Sequence, residues 1–209
     1  MKRKNICMSL FLFASACLFI SSLYGSIAYS EEIKKIMSIE AYDQLNTVPN
    51  TFLIDVRTKA EYQYVGHPTN AYHFPYMLLS EKLIMNGEKY EYMTLKNKSF
   101  LSEIAKAFKK TDNLLILSRD GVISALAAKE LSNEGFKNVF DIKDGFEGSE
   151  FPTYEDETLN KYYRQLANRY KVYGYLQRRH YGWQFWGLPW TYEMNTKYLY
   201  PPDLKALGK

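Results

Sequence analysis

Three short apolar runs stand out in the first 150 residues: FLIDV (Phe52–Val56), LLIL (Leu114–Leu117) and NVFDI (Asn138–Ile142). Unbroken apolarity over four or five positions, without alternation, predicts strands buried on both faces. Between these runs the apolar period lengthens towards that of a helix. Ile36, Ile39 and Tyr42 share one side of Lys34–Leu45. In SFLSEIAKAFKK, Ser99 is placed to cap a helix whose inner face is Leu101, Ile104, Ala105 and Phe108. Ala125, Leu126, Ala127, Ala128 and Leu131 predict a further helix over Ser124–Glu134, ended by Gly135. A helical turn is expected over Lys59–Tyr64, with a loop marked by Gly66, Pro68 and Pro75. A helix is expected over Leu78–Met85, and irregular chain over Asn86–Lys98. This alternation predicts an α/β fold, a parallel sheet flanked by helices on both faces. Ligands of such sheets bind beyond the carboxyl ends of the strands, where Ser118–Ile123 falls.

After Gly148 the pattern changes. All three tryptophans (Trp183, Trp186, Trp190) and ten tyrosines lie here. Leu159, Tyr162, Tyr163, Leu166, Tyr170 and Tyr173 recur near seven-residue spacing, predicting one helix over Thr158–Arg179 with Arg164, Arg169 and Lys171 interleaved. Gly187, Pro189, Pro201 and Pro202 predict a wrapping tail. Part of this aromatic surface is expected to be ordinary core. The remainder has the residue types enriched in protein interfaces, with Tyr163, Arg164, Tyr170, Trp183 and Trp186 as the candidates.

The N-terminus alters the composition argument. Lys2, Arg3 and Lys4 precede an apolar run, Ile6–Tyr24, and Ala28 and Ser30 sit at −3 and −1 before Glu31. That is the form of a secretory signal peptide over 1–30, which predicts export to the periplasm or beyond. If the segment is retained, the run approaches the length of a membrane anchor, and membrane contact is expected only in that case. The expected organisation is therefore signal peptide 1–30, an α/β domain 31–150, and an aromatic extension 151–209 packing on it. Of 27 basic side chains, removal of the leader leaves 24 against 23 acidic ones, so no nucleic-acid partner is expected. Cys7 and Cys17, the two cysteines of the chain, both lie in the leader. The exported part then has no disulfide, no thiolate and no cysteine-bound metal.

LLILSRDGVISALAAKEL (Leu114–Leu131) runs from a strand through a glycine-containing loop into a helix. Loop N–H groups and a helix N-terminus converge there on a point that favours an anion. The wider context resembles the rhodanese-like domain family. LIDVRTKAEYQYVGHPTNAYHFPY (Leu53–Tyr76) is similar to that family's D-V-R, E-[YF] and G-H-x-x-x-A-x-H-x-P series. Leu114–Gly148 is similar to its C-R-x-G-x-R-S loop, A-A-x-x-L helix, G-[YF]-x-N-V and G-G-F-x-G. GWQFWGLPWTY (Gly182–Tyr192) resembles the segment that ends some exported rhodaneses.

The resemblance implies sulfur transfer through a persulfide on the loop cysteine, held by loop N–H groups and an arginine. Arg119, Gly121 and Ser124 match the loop. Ser118 stands at the cysteine, Asp120 brings a carboxylate into the cradle, and Ile123 replaces the second arginine. Val122 and Ile123 are expected to form an apolar tip. A serine hydroxyl forms no persulfide, and no histidine lies near it in sequence to act as base. No catalytic residue is therefore assigned, and the loop reads as a degenerate site. The resemblance gives Asp55, Arg57 and His67 a role buttressing the loop, with His73 nearby. A hydrolytic Ser118–His67–Asp55 arrangement lacks the G-x-S-x-G elbow. His67, His73 and His180 match no local zinc spacing, so no metal or cofactor is expected. The expected function is a catalytically inactive envelope subunit with a protein partner. The alternatives are a binder of small anions or sulfur compounds, and a non-thiol enzyme using Ser118 or a His-bound metal.

Overall fold

The computed structural model describes residues 33–150, 157–158, 161–162, 165, 169 and 178–199. The predicted leader lies outside them. Five strands make the central sheet: β1 (Lys34–Ile36), β2 (Thr51–Asp55), β4 (Tyr72–His73), β7 (Asn113–Leu117) and β8 (Asn138–Ile142). Their order is β1-β8-β7-β2-β4 and every pairing is parallel. The three apolar runs occupy its centre, where both faces are covered. Leu114 and Ile116 point into one core with Ile54, Phe100, Ile104, Ala127, Ala128 and Leu131. Leu115 and Leu117 point into a second core with Ala41, Leu53, Ile142, Phe146 and Trp183. Helix α1 (Ser38–Thr47) covers the second face. Helices α3 (Phe100–Ala107) and α4 (Val122–Asn133) cover the first, so the expected parallel α/β sheet with helices on both faces is present.

Local chemistry sets several boundaries. Helix α2 (Lys59–Tyr64) opens on a reciprocal cap: Glu61 N–H donates to Thr58 Oγ1, and Thr58 N–H and Oγ1–H donate to the Glu61 carboxylate. Ser99 makes no side-chain cap at α3. Asn97 does the work nearby, accepting from Ser99 N–H and donating to Pro75 O. Helix α4 begins two residues before the predicted Ser124.

Two expectations are overturned between Pro75 and Ser99. Leu78–Met85 is not helix and Asn86–Lys98 is not irregular. They form a β-hairpin, β5 (Met77–Asn86) and β6 (Lys89–Lys96), joined by Gly87 at φ +62 and Glu88. A two-residue turn with glycine at its first position and the alternation Tyr90, Tyr92, Thr94 carry this structure. Two short antiparallel pairings complete the fold: β3 (His67–Pro68) with β11 (Trp190–Thr191), and β9 (Ser149–Glu150) with β10 (Arg178–His180). The predicted Thr158–Arg179 helix is corrected at its end, because Arg178 and Arg179 are in β10. Thr158, Lys161, Tyr162, Gln165 and Arg169 are helical, and the rest of that stretch lies outside the described residues.

Candidate functional site

The 118–124 loop leaves the carboxyl end of β7, beside β2. Val56 N–H donates to Leu117 O at 2.9 Å, which fixes the start of the loop against β2. The turn after β8 grips the other side: Phe146 N–H donates to Ser118 O at 2.8 Å and Glu147 N–H to Arg119 O at 2.9 Å. Two glycines make this approach feasible. Gly121, at φ +87, is the N-cap of α4, and a Cβ there would lie 2.1 Å from Lys143 O. A Cβ on Gly145 would lie 2.5 Å from Arg119 O. The two turns are clasped backbone to backbone, with no room for a side chain between them.

Inside the loop, Ser118 is 1% exposed. Its hydroxyl donates to Ser124 Oγ at 3.1 Å, and Ser124 donates to Asp141 Oδ1 at 2.6 Å. Gly121 N–H donates back to Ser118 Oγ at 3.1 Å. The proton of Ser118 is thus directed along a buried relay that ends at a carboxylate. Burial pushes the Asp141 carboxyl above the usual range, against the lowering effects of the Ser124 hydrogen bond and Lys35. Sequence reasoning missed Asp141, whose place under the loop comes from β8 pairing with β7. Asp120 turns to the start of α4, where its Oδ1 accepts Val122 N–H at 3.3 Å, and its other oxygen lies 3.9 Å from Arg119. The expected apolar tip is corrected: Val122 is exposed, but Ile123 packs against the first core.

Asp55 and Arg57 form a buried ion pair at 2.7 Å, with Arg57 Nε also donating to the same carboxylate. Arg57 Nη2 donates to Gly66 O at 2.7 Å, and the guanidinium lies 4.1 Å over the Phe146 ring. Phe146 is the residue whose N–H holds Ser118, so Arg57 braces the loop through one intermediate. Its Nη1 is buried and has no partner among the described residues. Burial raises the Glu147 carboxyl, while Arg57 and Arg119 pull it down. Tyr62 lies between His67 and His73, stacked on both at 3.7 and 4.3 Å. His67 Nδ1 is 2.9 Å from Tyr62 O, and its strand pairs with β11. Its described contacts are therefore with α2 and β11 and not with the loop, contrary to the buttressing role expected of it. His73 Nε2 is 2.9 Å from Arg57 O, and burial holds the ring below the usual histidine range. Ser118, His67 and Asp55 do not form a relay, since each is bonded elsewhere. Among the described residues, no three His, Cys, Asp or Glu side chains are grouped to hold a metal.

The C-terminal segment joins this region through Asp144, a residue that sequence reasoning passed over. Its Oδ1 accepts from Ser38 N–H and Oγ–H, both at 2.8 Å; its Oδ2 accepts from Gly182 N–H at 2.9 Å and Trp186 Nε1–H at 3.2 Å. Trp183, expected at an interface, is core: it is 1% exposed, edge-on to Tyr42, with Nε1–H donating to Pro189 O at 3.0 Å. Trp186 is 39% exposed and stands in a cluster with Tyr181 and Phe185, while Trp190 packs edge-on to Tyr192. All five rings are open to solvent. Tyr163, Arg164 and Tyr170 lie outside the described residues.

Comparison with known proteins places this geometry. A family model described as the rhodanese-like domain matches residues 38–150. The uncharacterized protein RP600 homolog of Rickettsia rickettsii is 36% identical over 117 residues, which is 56% of this chain and 86% of that protein. The chloroplastic rhodanese-like domain-containing protein 15 of Arabidopsis thaliana is 34% identical over 93 residues, covering 44% of this chain and 45% of that one. Among solved structures, Rv0390 from M. tuberculosis superposes with a TM-score of 0.54 at 23% identity, covering 78% of this chain and all of that one; this likeness concerns the fold.

Proposed function

The chain belongs to the rhodanese-like domain family, and from that premise we propose that it is a catalytically silent member, exported to the cell envelope, that acts as a protein-binding or assembly subunit. One observation carries the negative half. At the position of the family's cysteine, Ser118 is buried, gives its proton to Ser124 and receives the N–H of Gly121. A nucleophile needs a base to take its proton and a free lone pair aimed at the substrate. The Ser118 proton goes first to a neutral hydroxyl, with the Asp141 carboxylate one hydroxyl further on, and a hydroxyl supplies no persulfide. Asp120 adds negative charge at the mouth, and Ile123 is committed to the core, where an arginine would serve an anion. The positive half is supported by Tyr181, Phe185, Trp186, Trp190 and Tyr192, a run of exposed rings on a segment anchored by Asp144. Rigid aromatic anchors on a fixed backbone suit an interface.

Thiosulfate:cyanide sulfur transfer tests the silence. The expected rate equals the no-protein blank for the wild type and for Ser118→Cys; turnover by the wild type overturns the reading. Capture from the envelope fraction tests the binding role. Phe185→Ala with Tyr192→Ala, two exposed rings, is expected to abolish capture at unchanged Tm, and undiminished capture removes this surface from the proposal.

A second reading, binding of a small anion or sulfur compound, is favoured by the unpartnered Nη1 of Arg57. Thiosulfate, sulfite or phosphate at a hundred times its Kd would stabilise the protein by about 2.7 kcal/mol, and a flat thermal-shift series at millimolar ligand ends that reading.

A further inference from the structure

The β5–β6 hairpin has two unlike faces. On one, the paired positions Leu79–Thr94, Leu83–Tyr92 and Met85–Tyr90 carry no charge, and Met77–Lys96 at the base adds a lysine paired with Glu130. On the other lie Leu78–Leu95 at the base and then Ile84–Glu91 and Asn86–Lys89, where Asn86 Nδ2 donates to Glu91 Oε1 at 2.8 Å. Solvent faces of hairpins normally carry the polar set. Here the uncharged set is open to solvent as well: Leu79, Leu83, Met85, Tyr90 and Tyr92 are each between 51% and 67% exposed. The hairpin forms a two-stranded sheet of its own among the described residues. Its anchors are at the base, where Met77 packs on the first core, Asn97 N–H donates to Tyr76 O, and Lys96 and Tyr76 both meet Glu130. A two-stranded hairpin open on both faces is marginal in water.

We propose that this hairpin is a self-association arm, in which the uncharged face of one copy packs on the same face of a second copy across a two-fold axis. The area supports a second copy as the occupant. Burying the open parts of these five side chains in both copies removes on the order of 1,200 Å², the lower limit of a specific interface. The charge distribution agrees. Glu88, Lys89 and Glu91 lie at the turn or on the opposite face, and Lys96 at the base is paired with Glu130, so the centre of the packed faces brings no like charges together. The pairing is isologous: Leu83 and Tyr92, directly opposed at the middle of the face, sit nearest the axis and meet themselves. The pairing is also regular between the turn and the irregularity that separates Leu79 from Leu83, which suits aligned packing of two sheets about 10 Å apart. Lys96, the cation at the base of this face, is paired with Glu130, so a polyanionic partner or an anionic membrane meets little free positive charge here.

The test uses the purified full chain. Sedimentation velocity is expected to show a concentration-dependent dimer of twice the chain mass. Leu83→Glu sets two carboxylates against apolar neighbours at the axis and raises the dimer dissociation constant about 30-fold or more. Lys89→Glu, on the opposite face, leaves it unchanged. Circular dichroism and Tm of both variants check that the domain still folds. A photoreactive benzoylphenylalanine at position 92 supplies the second readout. In a mixture of light and ¹⁵N-labelled chains, mixed-isotope crosslinks are expected within residues 77–96. A wild type that stays monomeric at its solubility limit overturns the proposal. So does a dimer indifferent to Leu83→Glu, or crosslinks that fall outside the hairpin. Flotation of monomer with neutral phosphatidylcholine vesicles, lost in Leu83→Glu, would assign the face to lipid and overturn it as well.

Discussion

Replacing Gly121 by alanine isolates the clasp between the 118–124 loop and the turn after β8. The backbone there has φ +87, and the added Cβ would stand 2.1 Å from Lys143 O and 2.6 Å from its carbonyl carbon. The left-handed conformation alone costs an alanine about 1–2 kcal/mol. The overlap is with main chain held by Lys143 N–H on Ile36 O and, after it, by Phe146 N–H and Glu147 N–H on the loop, so relief requires moving the turn and costs about 1–3 kcal/mol more. Gly135 provides the control: it has φ +94, and its Cβ would meet nothing within 4 Å. Gly135→Ala therefore carries the conformational cost without the overlap. Any gain from stiffening the unfolded chain is common to both variants and cancels between them. The expected gap between the two is about 2 kcal/mol, or about 1 M in the urea midpoint for a slope near 2 kcal/mol/M. Equal midpoints for the two variants would mean the turn yields freely and would refute the clasp.

Three further outcomes follow from the burial of named groups. His73, held below its ordinary pKa by burial, stays neutral when the unfolded chain charges, so its contribution is intact above about pH 6.5 and is lost as pH falls. His73→Gln keeps a donor to Arg57 O and is expected to flatten that loss, by up to about 1.4 kcal/mol per pH unit, in urea titrations at pH 7.5 and 5.5; parallel losses in both proteins count against it. Asp141 has the opposite sign: burial raises its carboxyl, so its contribution is complete below about pH 4 and declines as pH rises through the folded value. Asp141→Asn still accepts from Ser124, and its stability relative to wild type is expected to improve between pH 4 and 7; a pH-independent difference would contradict the assignment. Trp183→Ala is expected to cost about 3–5 kcal/mol, whereas Trp186→Ala loses one hydrogen bond and a half-open ring and costs about 1–2. Similar midpoints for the two would show that the core assignment of Trp183 is mistaken.

The parts of the fold legible in the sequence are those whose burial is uniform. FLIDV, LLIL and NVFDI announce strands because both sheet faces are covered, and α3 and α4 are plain because each buries one stripe. The hairpin was hidden by its own exposure. Leu78, Leu79, Leu83, Ile84 and Met85 fit a helical spacing as well as a strand, and the usual cue, polar residues alternating outward, is inverted there. The loop residues 118–124 were legible because they are consecutive. Their supports were not: Asp141 reaches Ser124 across 17 residues, and Asp144 reaches Ser38 across 106 and Gly182 across 38. His67 was misassigned for a related reason, since its position beside the loop in sequence pattern gave no sign that its partners would be Tyr62 and β11.

The junction at Asp144 bears on the order in which the molecule is finished. Trp183 and Leu188 fill the second core, and Gly182 and Trp186 supply two of the protons that satisfy a buried carboxylate. A chain delivered N-terminus first, from the ribosome or through an export channel, has supplied all five strands of its sheet once Ile142 is out, yet that face of the sheet still lacks its largest side chain. Domains are completed as units during synthesis, the N-terminal parts first. Here the unit closes only after some forty further residues, with the wait falling on exposed Leu115, Leu117 and Phe146. The growing polypeptide therefore passes through an interval in which its sheet is assembled and half bare, and the arrival of one tryptophan ends it.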